Sequence, residues 1–178
     1  MIQSEHIDER ARANAVAAIA SVDSNAARYV LSESMQSQEP RVRANAIEHA
    51  RVPLDRMVEY KNDENHRVRA NAIRRMVEAK DQQSSTIATQ AGAELAELLA
   101  DPRPMHRLAG TWVAQRTVVN QGRDQLGRHW SPIIAQLEEL AATDEDVRLR
   151  DRALCCIRRL RNEIRHEPST LTKDEWGS

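Results

Sequence analysis

The sequence predicts an all-α fold, a helical repeat array. Composition, a thrice-repeated heptapeptide and helical spacing of apolar residues carry that expectation. The 178 residues hold no Phe, two Tyr, three Trp and five Gly. Strands lean on β-branched and aromatic side chains, and tight hairpins on glycine. Ala, Arg, Leu, Glu and Gln, all good helix formers, are abundant. A core of Ala, Val, Ile, Leu and Met lets helices approach closely.

Arg10-Ala-Arg-Ala-Asn-Ala-Val16 returns as Arg41-Val-Arg-Ala-Asn-Ala-Ile47 and again as Arg67-Val-Arg-Ala-Asn-Ala-Ile73. A weaker copy is Arg148-Leu-Arg-Asp-Arg-Ala-Leu154, and a degenerate one begins near Asp101-Pro102 with Met105 in the arginine's place. Measured between Arg12, Arg43, Arg69, Met105 and Arg150, the copies lie 31, 26, 36 and 45 residues apart. Periods of about 20–50 residues signal solenoids, propellers or arrays. With this composition, a helical array is expected.

Each period divides into two helices. Arg12, Ala15, Val16 and Ile19 follow the i, i+3, i+4, i+7 rule of one helix stripe. Arg43, Ala46, Ile47 and Ala50 repeat it, as do Arg69, Ala72, Ile73 and Met76, then Arg150, Ala153, Leu154 and Ile157. Pro40 and Pro102 are read as helix starts, where a missing donor costs nothing. Second helices are expected over 24–36, 53–61, 84–100 and 129–142, with Ser24, Ser84 and Ser131 as N-caps. Polar loops are expected over Lys80–Ser85 and Val119–Arg128, the latter holding Gly122 and Gly127. Residues 1–166 form the repeat domain, and 167–178, with Pro168, Ser169 and Thr170, a flexible tail.

An acidic or proline lead-in, then Val-Arg, two small residues and Ala-Ile, resembles bacterial HEAT-like repeats of the PBS-lyase type. The resemblance covers residues 7–163. It implies a right-handed α-solenoid of about four helix pairs plus a terminal helix, with motif helices outside and second helices lining a concave face. It also implies a protein-binding scaffold. Some relatives bind DNA and excise damaged bases, and others act on bilin chromophores. These remain alternatives, as a DNA-repair glycosylase-like protein or a chromophore lyase-like subunit.

An arginine on an apolar stripe needs a partner, because an unpaired buried charge is costly. Arg43, Arg69 and Arg150 are expected to fork onto a carboxylate or loop carbonyl of a neighbouring repeat, with Asp63, Asp101 and Asp144 as candidates. The planar guanidinium suits such bidentate contacts better than lysine does. Asn14, Asn45 and Asn71, poor helix formers, are expected to hydrogen-bond an adjacent turn.

The chain shows little sign of catalytic chemistry. Its six histidines never share i, i+4 spacing, and there is no Cys-x-x-Cys, Gly-rich phosphate loop or Gly-x-Ser-x-Gly elbow. Adjacent Cys155 and Cys156 read as reduced thiols in a buried helix. We expect no enzyme, cofactor or metal site. No run reaches the roughly 18 apolar residues of a membrane span, and a signal-peptide segment is missing, so a cytoplasmic protein with no membrane partner is expected.

Formal net charge is −1, which argues against electrostatic coating of nucleic acid. The expected second helices hold seven acids (Glu33, Asp55, Glu59, Glu94, Glu97, Glu138 and Glu139) against Arg28, Arg56 and Lys61. That excess suggests a protein partner with a basic segment. Candidate contact residues are Arg28, Asp55, Arg56, Glu59, Gln90, Glu94, Glu97, Gln136 and Glu139. The last helix concentrates seven arginines between Arg148 and Arg165, a candidate nucleic-acid contact lacking interleaved aromatics. Tyr29, Tyr60, Trp112 and Trp130 would serve a nucleic-acid reading. The stripe Leu154, Ile157 and Leu160 could be capped by the tail or by another copy.

Overall fold

The computed structural model describes the backbone of residues 2–78, 84–126 and 129–166, and within them all side chains except 2–7, 84–85, 88, 118–126 and 162–166. The described residues are helical throughout their regular elements, with no strand among them. The helices are α1 (Ile2–Ile19), α2 (Asn25–Ser34), α3 (Pro40–His49), α4 (Asp55–Val58), α5 (His66–Val77), α6 (Ser84–Leu99), α7 (Pro104–Leu126), α8 (Trp130–Thr143) and α9 (Val147–His166).

Local chemistry accounts for the boundaries. Ser24 caps α2, its hydroxyl accepting the Ala27 N–H at 3.1 Å. Asn65 caps α5, accepting from Arg67 and Val68. Pro40 opens α3 as expected. Pro104, rather than Pro102, opens α7, and Ser131 lies inside α8, with His129 at its cap. The expected second helix over 53–61 shortens to the single turn of α4, because Pro53 and the turns after Val58 leave little regular backbone. The expected loop at 119–128 is corrected more strongly. Helix α7 continues to Leu126 through Gly122, since an isolated glycine lowers helix propensity by only about 1 kcal/mol. Gly127 and Arg128 lie outside the described residues, as do residues 79–83 of the other expected loop and the tail 167–178.

Helix packing follows chain order. Successive odd-numbered helices touch: α1 on α3, α3 on α5, α5 on α7, α7 on α9. Even-numbered helices pack on those neighbours, and α6 also packs on α8. One apolar core runs through the chain, from Ala13 and Val16 through Ile47, Ile73, Leu95 and Val113 to Ile157 and Leu160. Val42, Val68 and Leu149 occupy one repeat position, and all three are buried. His106 stands at that position in α7, also buried. Gly110 lets α6 and α7 approach: a Cβ there would meet the Leu99 nitrogen at 3.1 Å and the Leu98 carbonyl carbon at 3.2 Å.

Arginine and aspartate tie consecutive repeats together. Arg43 grips Asp63 with two bonds, at 2.8 and 3.1 Å, and donates to the Ser37 carbonyl at 2.6 Å. Arg69 reaches Asp101 at 3.1 Å. Arg107 reaches Asp144 at 2.7 Å and the Asp101 carbonyl at 3.1 Å. Arg12 pairs with Glu39. The degenerate repeat therefore keeps its arginine. Counting from the helix-opening proline, as in α3, places Arg107 on the Arg43 position, and Met105 is an exposed residue one step after the proline. Asp144 serves Arg107, while Arg150 donates to the Asp144 carbonyl at 2.7 Å instead.

Each acid also holds its own loop. Asp63, Asp101 and Asp144 accept the N–H two residues on, from Asn65, Arg103 and Asp146. Such Asx turns mimic a backbone turn. One carboxylate thus shapes the entry to its own motif helix and ties it to the arginine before it. The asparagines reach farther than an adjacent turn. Asn45 Nδ2 donates to the Ala13 carbonyl at 2.8 Å, and Asn71 Nδ2 to the Ala44 carbonyl at 2.9 Å, each on the preceding odd helix.

Candidate binding surface

The nine contact candidates lie on or beside the four even-numbered helices. Gln90, Glu94 and Glu97 share α6, and Gln136 and Glu139 share α8. Arg28 stands on α2, with Asp55 and Arg56 on α4 and Glu59 just after it. Extensive even-to-even packing among the described residues is confined to α6 on α8. Glu94 is buried at 7% exposure. It pairs with Lys61 and lies 3.9 Å from Arg69, which also approaches Glu97 at 3.9 Å. Those contacts join α6 to α5 and to the turn before it, and they enclose the Glu94 carboxylate. Arg28 is paired with Asp23 at 2.8 Å, Arg56 with Glu59 at 3.5 Å, and Gln136 with Glu139 at 3.3 Å.

Charge separates by helix row. Helices α1, α3, α5, α7 and α9 carry 18 arginines against seven Asp and Glu, whereas α2, α4, α6 and α8 carry two against six. Many of the odd-row arginines are bound internally, as described. Arg74 Nη1 donates to both Glu78 carboxylate oxygens, and Arg75 donates to the Ala50 carbonyl. Burial lowers the Arg75 pKa.

Two adjoining grooves open along the odd helices and share Trp112 and Arg152. The first, about 460 Å³, lies over α5 and α7 and is lined by His66, Arg67, Met105 and Leu108 among others. The second, about 710 Å³, lies between α7 and α9 and adds Arg116, Asp151, Cys155 and Arg159. Asp151, Arg152, Cys155 and Arg159 sit at i, i+1, i+4 and i+8 on α9, so one helix face presents them. The guanidinium carbons of Arg74 and Arg116 lie 5.8 and 5.4 Å from the Trp112 ring centroid. Among the described residues, Arg67, Arg152 and Arg159 have no carboxylate within ion-pairing distance, and all three are exposed.

Of the four aromatics suited to nucleic acid, only Trp112 reaches these grooves. Tyr60 is buried, its hydroxyl accepting from Gln36, and burial raises its pKa. Tyr29 is exposed on α2, and Trp130 packs against the core. The cysteines differ, against the expectation of a buried pair. Cys156 is buried and its thiol is pushed up to about 11, chiefly by burial, whereas Cys155 is exposed in the second groove. Consecutive helix residues point about 100° apart, so only one of the two can face the core. A lyase-like reading needs a deep apolar pocket, whereas Cys155 faces Arg152, Arg159 and Asp151.

Among the described side chains of helix α9, Val147 and Leu154 are exposed apolar residues. Ala153, Cys156, Ile157 and Leu160 are covered, and Leu154 is the exposed member of the expected stripe. Arginines 152, 158, 159 and 161 face outward instead.

Beneath the first groove, the His66 and His106 rings meet edge to face at 5.8 Å. His106 Nε2 lies 3.2 Å from the Glu64 carbonyl oxygen, and Nδ1 has no partner. Burial lowers both pKa values.

A scan against protein-family models matches no family, and no curated protein matches the chain. Among the described residues, no group of three or more His, Cys, Asp or Glu could hold a metal ion, and no helix is long and apolar enough to cross a membrane.

Sequence reading missed the grooves because their residues come from four helices far apart in the chain, Glu48 of α3 among them. The arginine concentration in α9 and the candidate aromatic Trp112 were their sequence signals.

Proposed function

We propose that the chain is a right-handed α-solenoid of HEAT-like repeats that acts as a non-catalytic binding module. Its site is the pair of grooves around Trp112, and its partner is an acidic segment of another protein. The carrying observation is the set of exposed arginines, Arg67, Arg152 and Arg159, without a carboxylate partner among the described residues, on the rims of two grooves that share a wall. The solenoid reading is supported by in-order contacts between odd helices and by the recurring Arg–Asp tie. Stiff stacking fixes the spacing of the rim charges, so a long partner is met at several points. The second-row acids support a basic partner less well, because Glu94 is neutralised internally.

Arginine recognises carboxylate and phosphate alike. A nucleic acid bound through its bases would need an open aromatic face, and the Trp112 ring already lies beneath two guanidinium groups. The grooves are therefore better suited to carboxylates than to base stacking.

Fluorescence anisotropy with a labelled glutamate oligomer tests this. Binding is expected at low salt and should weaken between about 0.01 and 0.15 M, as the Debye length falls from about 30 to 8 Å. Arg152→Glu combined with Arg159→Glu should abolish it. Tighter binding to single-stranded DNA of equal charge would replace the protein partner with a nucleic acid. Unchanged affinity in the double variant would move the site elsewhere.

A further inference from the structure

We infer that the acidic segment received at the Trp112 grooves carries an apolar side chain between its carboxylates, and that this side chain seats in the first groove on Met105 and Leu108. This rests on the reading of the grooves as a seat for carboxylates. It adds what the partner must contain besides charge.

The two grooves differ in their walls. Around the second, three arginines, Asp151 and Gln115 accompany Trp112 and Cys155. The first holds an apolar strip instead. Met105, Leu108 and Trp112 stand at i, i+3 and i+7 of α7, so one helix face presents them. Ala70 of α5 and Ala109 of α7 line it too, and such short side chains fill little of its 460 Å³. Clefts of about 300–1,000 Å³ are the size that holds a small ligand. Met105 is 47% exposed. A single exposed apolar residue is ordinary, but one continuous with Leu108, Trp112 and a cleft is an unfilled apolar surface. The unbranched thioether of methionine adapts to whatever shape is laid against it.

Charge decides what brings the apolar group. Arg67 of α5 and Arg152 of α9 line the same groove, and α7 packs between those two helices. Both arginines are exposed and have no carboxylate partner among the described residues. The apolar strip therefore runs between two guanidinium groups. Glu48 of α3 also lines the groove and opposes an acidic partner, but it lies 4.0 Å from Arg74. His66 adds no charge at neutral pH, since burial lowers its pKa. The matching segment presents carboxylate, apolar side chain and carboxylate, in that order across α7. Its exposed ion pairs are individually weak and set register, while apolar burial supplies affinity in proportion to the area covered.

Fluorescence anisotropy on the full chain at low salt compares two labelled probes of equal charge, a glutamate oligomer with one central leucine and the same oligomer with glutamine there. The leucine probe should bind about tenfold more tightly, as burial of most of that side chain implies. The ratio should survive higher salt, because screening acts alike on both probes. Met105→Gln exchanges one exposed side chain for another of similar length. It should reduce the ratio several-fold, with the glutamine probe's affinity and the circular dichroism unchanged, and Met105→Leu should keep the ratio. Equal affinities in the parent would overturn the inference and leave the carboxylate seat standing. No binding of either probe would overturn both. A ratio unchanged in Met105→Gln would place the apolar contact elsewhere and overturn the inference alone. Sedimentation of the protein by itself as a dimer that Met105→Gln dissociates would give the groove to a second copy, again overturning it.

Discussion

The protein uses arginine in two opposite ways. At the loop ends of the odd helices, Arg43, Arg69 and Arg107 are largely buried and tied to Asp63, Asp101 and Asp144. Along the Trp112 grooves, Arg67, Arg152 and Arg159 are exposed and lack such ties among the described residues. Arg67 and Arg69 stand only two residues apart on α5, so helix propensity cannot explain the difference. Direction does: two residues turn the side chain by about 200°, from solvent to the joint between repeats. The first set is expected to govern stability and the second recognition, and substitutions in each should separate the two.

The largest expected loss is at Asp101. Its carboxylate serves Arg69, Arg103 and the Arg103 N–H at once. Asp101→Ala strips a nearly buried Arg69 of its only carboxylate hydrogen bond. Removing one partner of a buried pair costs about 3–5 kcal/mol when the other charge is left alone; Glu94 and Glu97, each 3.9 Å from Arg69, hold the expected loss to about 3 kcal/mol. Denaturant unfolding should register that loss, and an effect below about 1 kcal/mol would mean the tie contributes little. Arg69→Met removes the other end. It leaves Asp101 with Arg103, so the smaller cost of an incompletely satisfied group, about 1–3 kcal/mol, applies. A double-mutant cycle should show coupling, because the residues touch.

Acidification probes the same joint. His66 and His106 are held below their ordinary pKa by burial. On the acid side the unfolded chain therefore binds more protons, and stability rises with pH. The contribution is complete above the unfolded value, about 6.5, and is lost as pH falls through the lower folded values. The groups facing this pair include Asp101, which favours the charged His106, Arg69 and Arg103, which oppose it, and Arg67, which opposes the charged His66. Asp101 is held below the usual carboxylate range by Arg103, and Asp144, against the upward push of its burial, by Arg107. Their share is present above about pH 3.9 and is lost at stronger acid. Thermal midpoints should thus fall first just below neutrality, and His106→Gln should flatten that first step. A parent midpoint unchanged from pH 7.5 to 5.5 would contradict it.

The tied arginines were legible in the sequence and the groove arginines were not. An Arg that recurs on an apolar stripe demands a partner, and an Asp recurs in the loop before each later motif. Pattern and physics agreed, so the ties at Arg43 and Arg69 could be anticipated. The degenerate repeat failed because Pro102 and Pro104 both offer a helix start, and choosing the first shifted Met105 onto the arginine's place. The length of α7 was missed because one glycine reads as a loop signal in isolation, while packing on α5, α6 and α9 outweighs its propensity. The second-row acids misled for another reason. Spacing puts Glu94 on an outward face, yet Lys61 and Arg69 from other elements enclose it. Assembly of Trp112, Arg152 and Cys155 into one groove depends on how α7 and α9 sit together, which no single-helix pattern encodes.

The smallest expected effect on folding is also the sharpest test of the comparison. Arg67→Ala and Arg159→Ala remove exposed side chains with no carboxylate partner among the described residues. Surface substitutions of that kind stay within about 0.5 kcal/mol. Each should nevertheless weaken binding of the glutamate oligomer and reduce its salt dependence, since each deletes one charge from the rim. Stability and binding would then move independently, with two positions on the same turn of α5 answering to different measurements. If Arg67→Ala instead destabilised the fold as much as Arg69→Met, exposure would not be what divides the arginines, and the rim would belong to the same structural network as the ties.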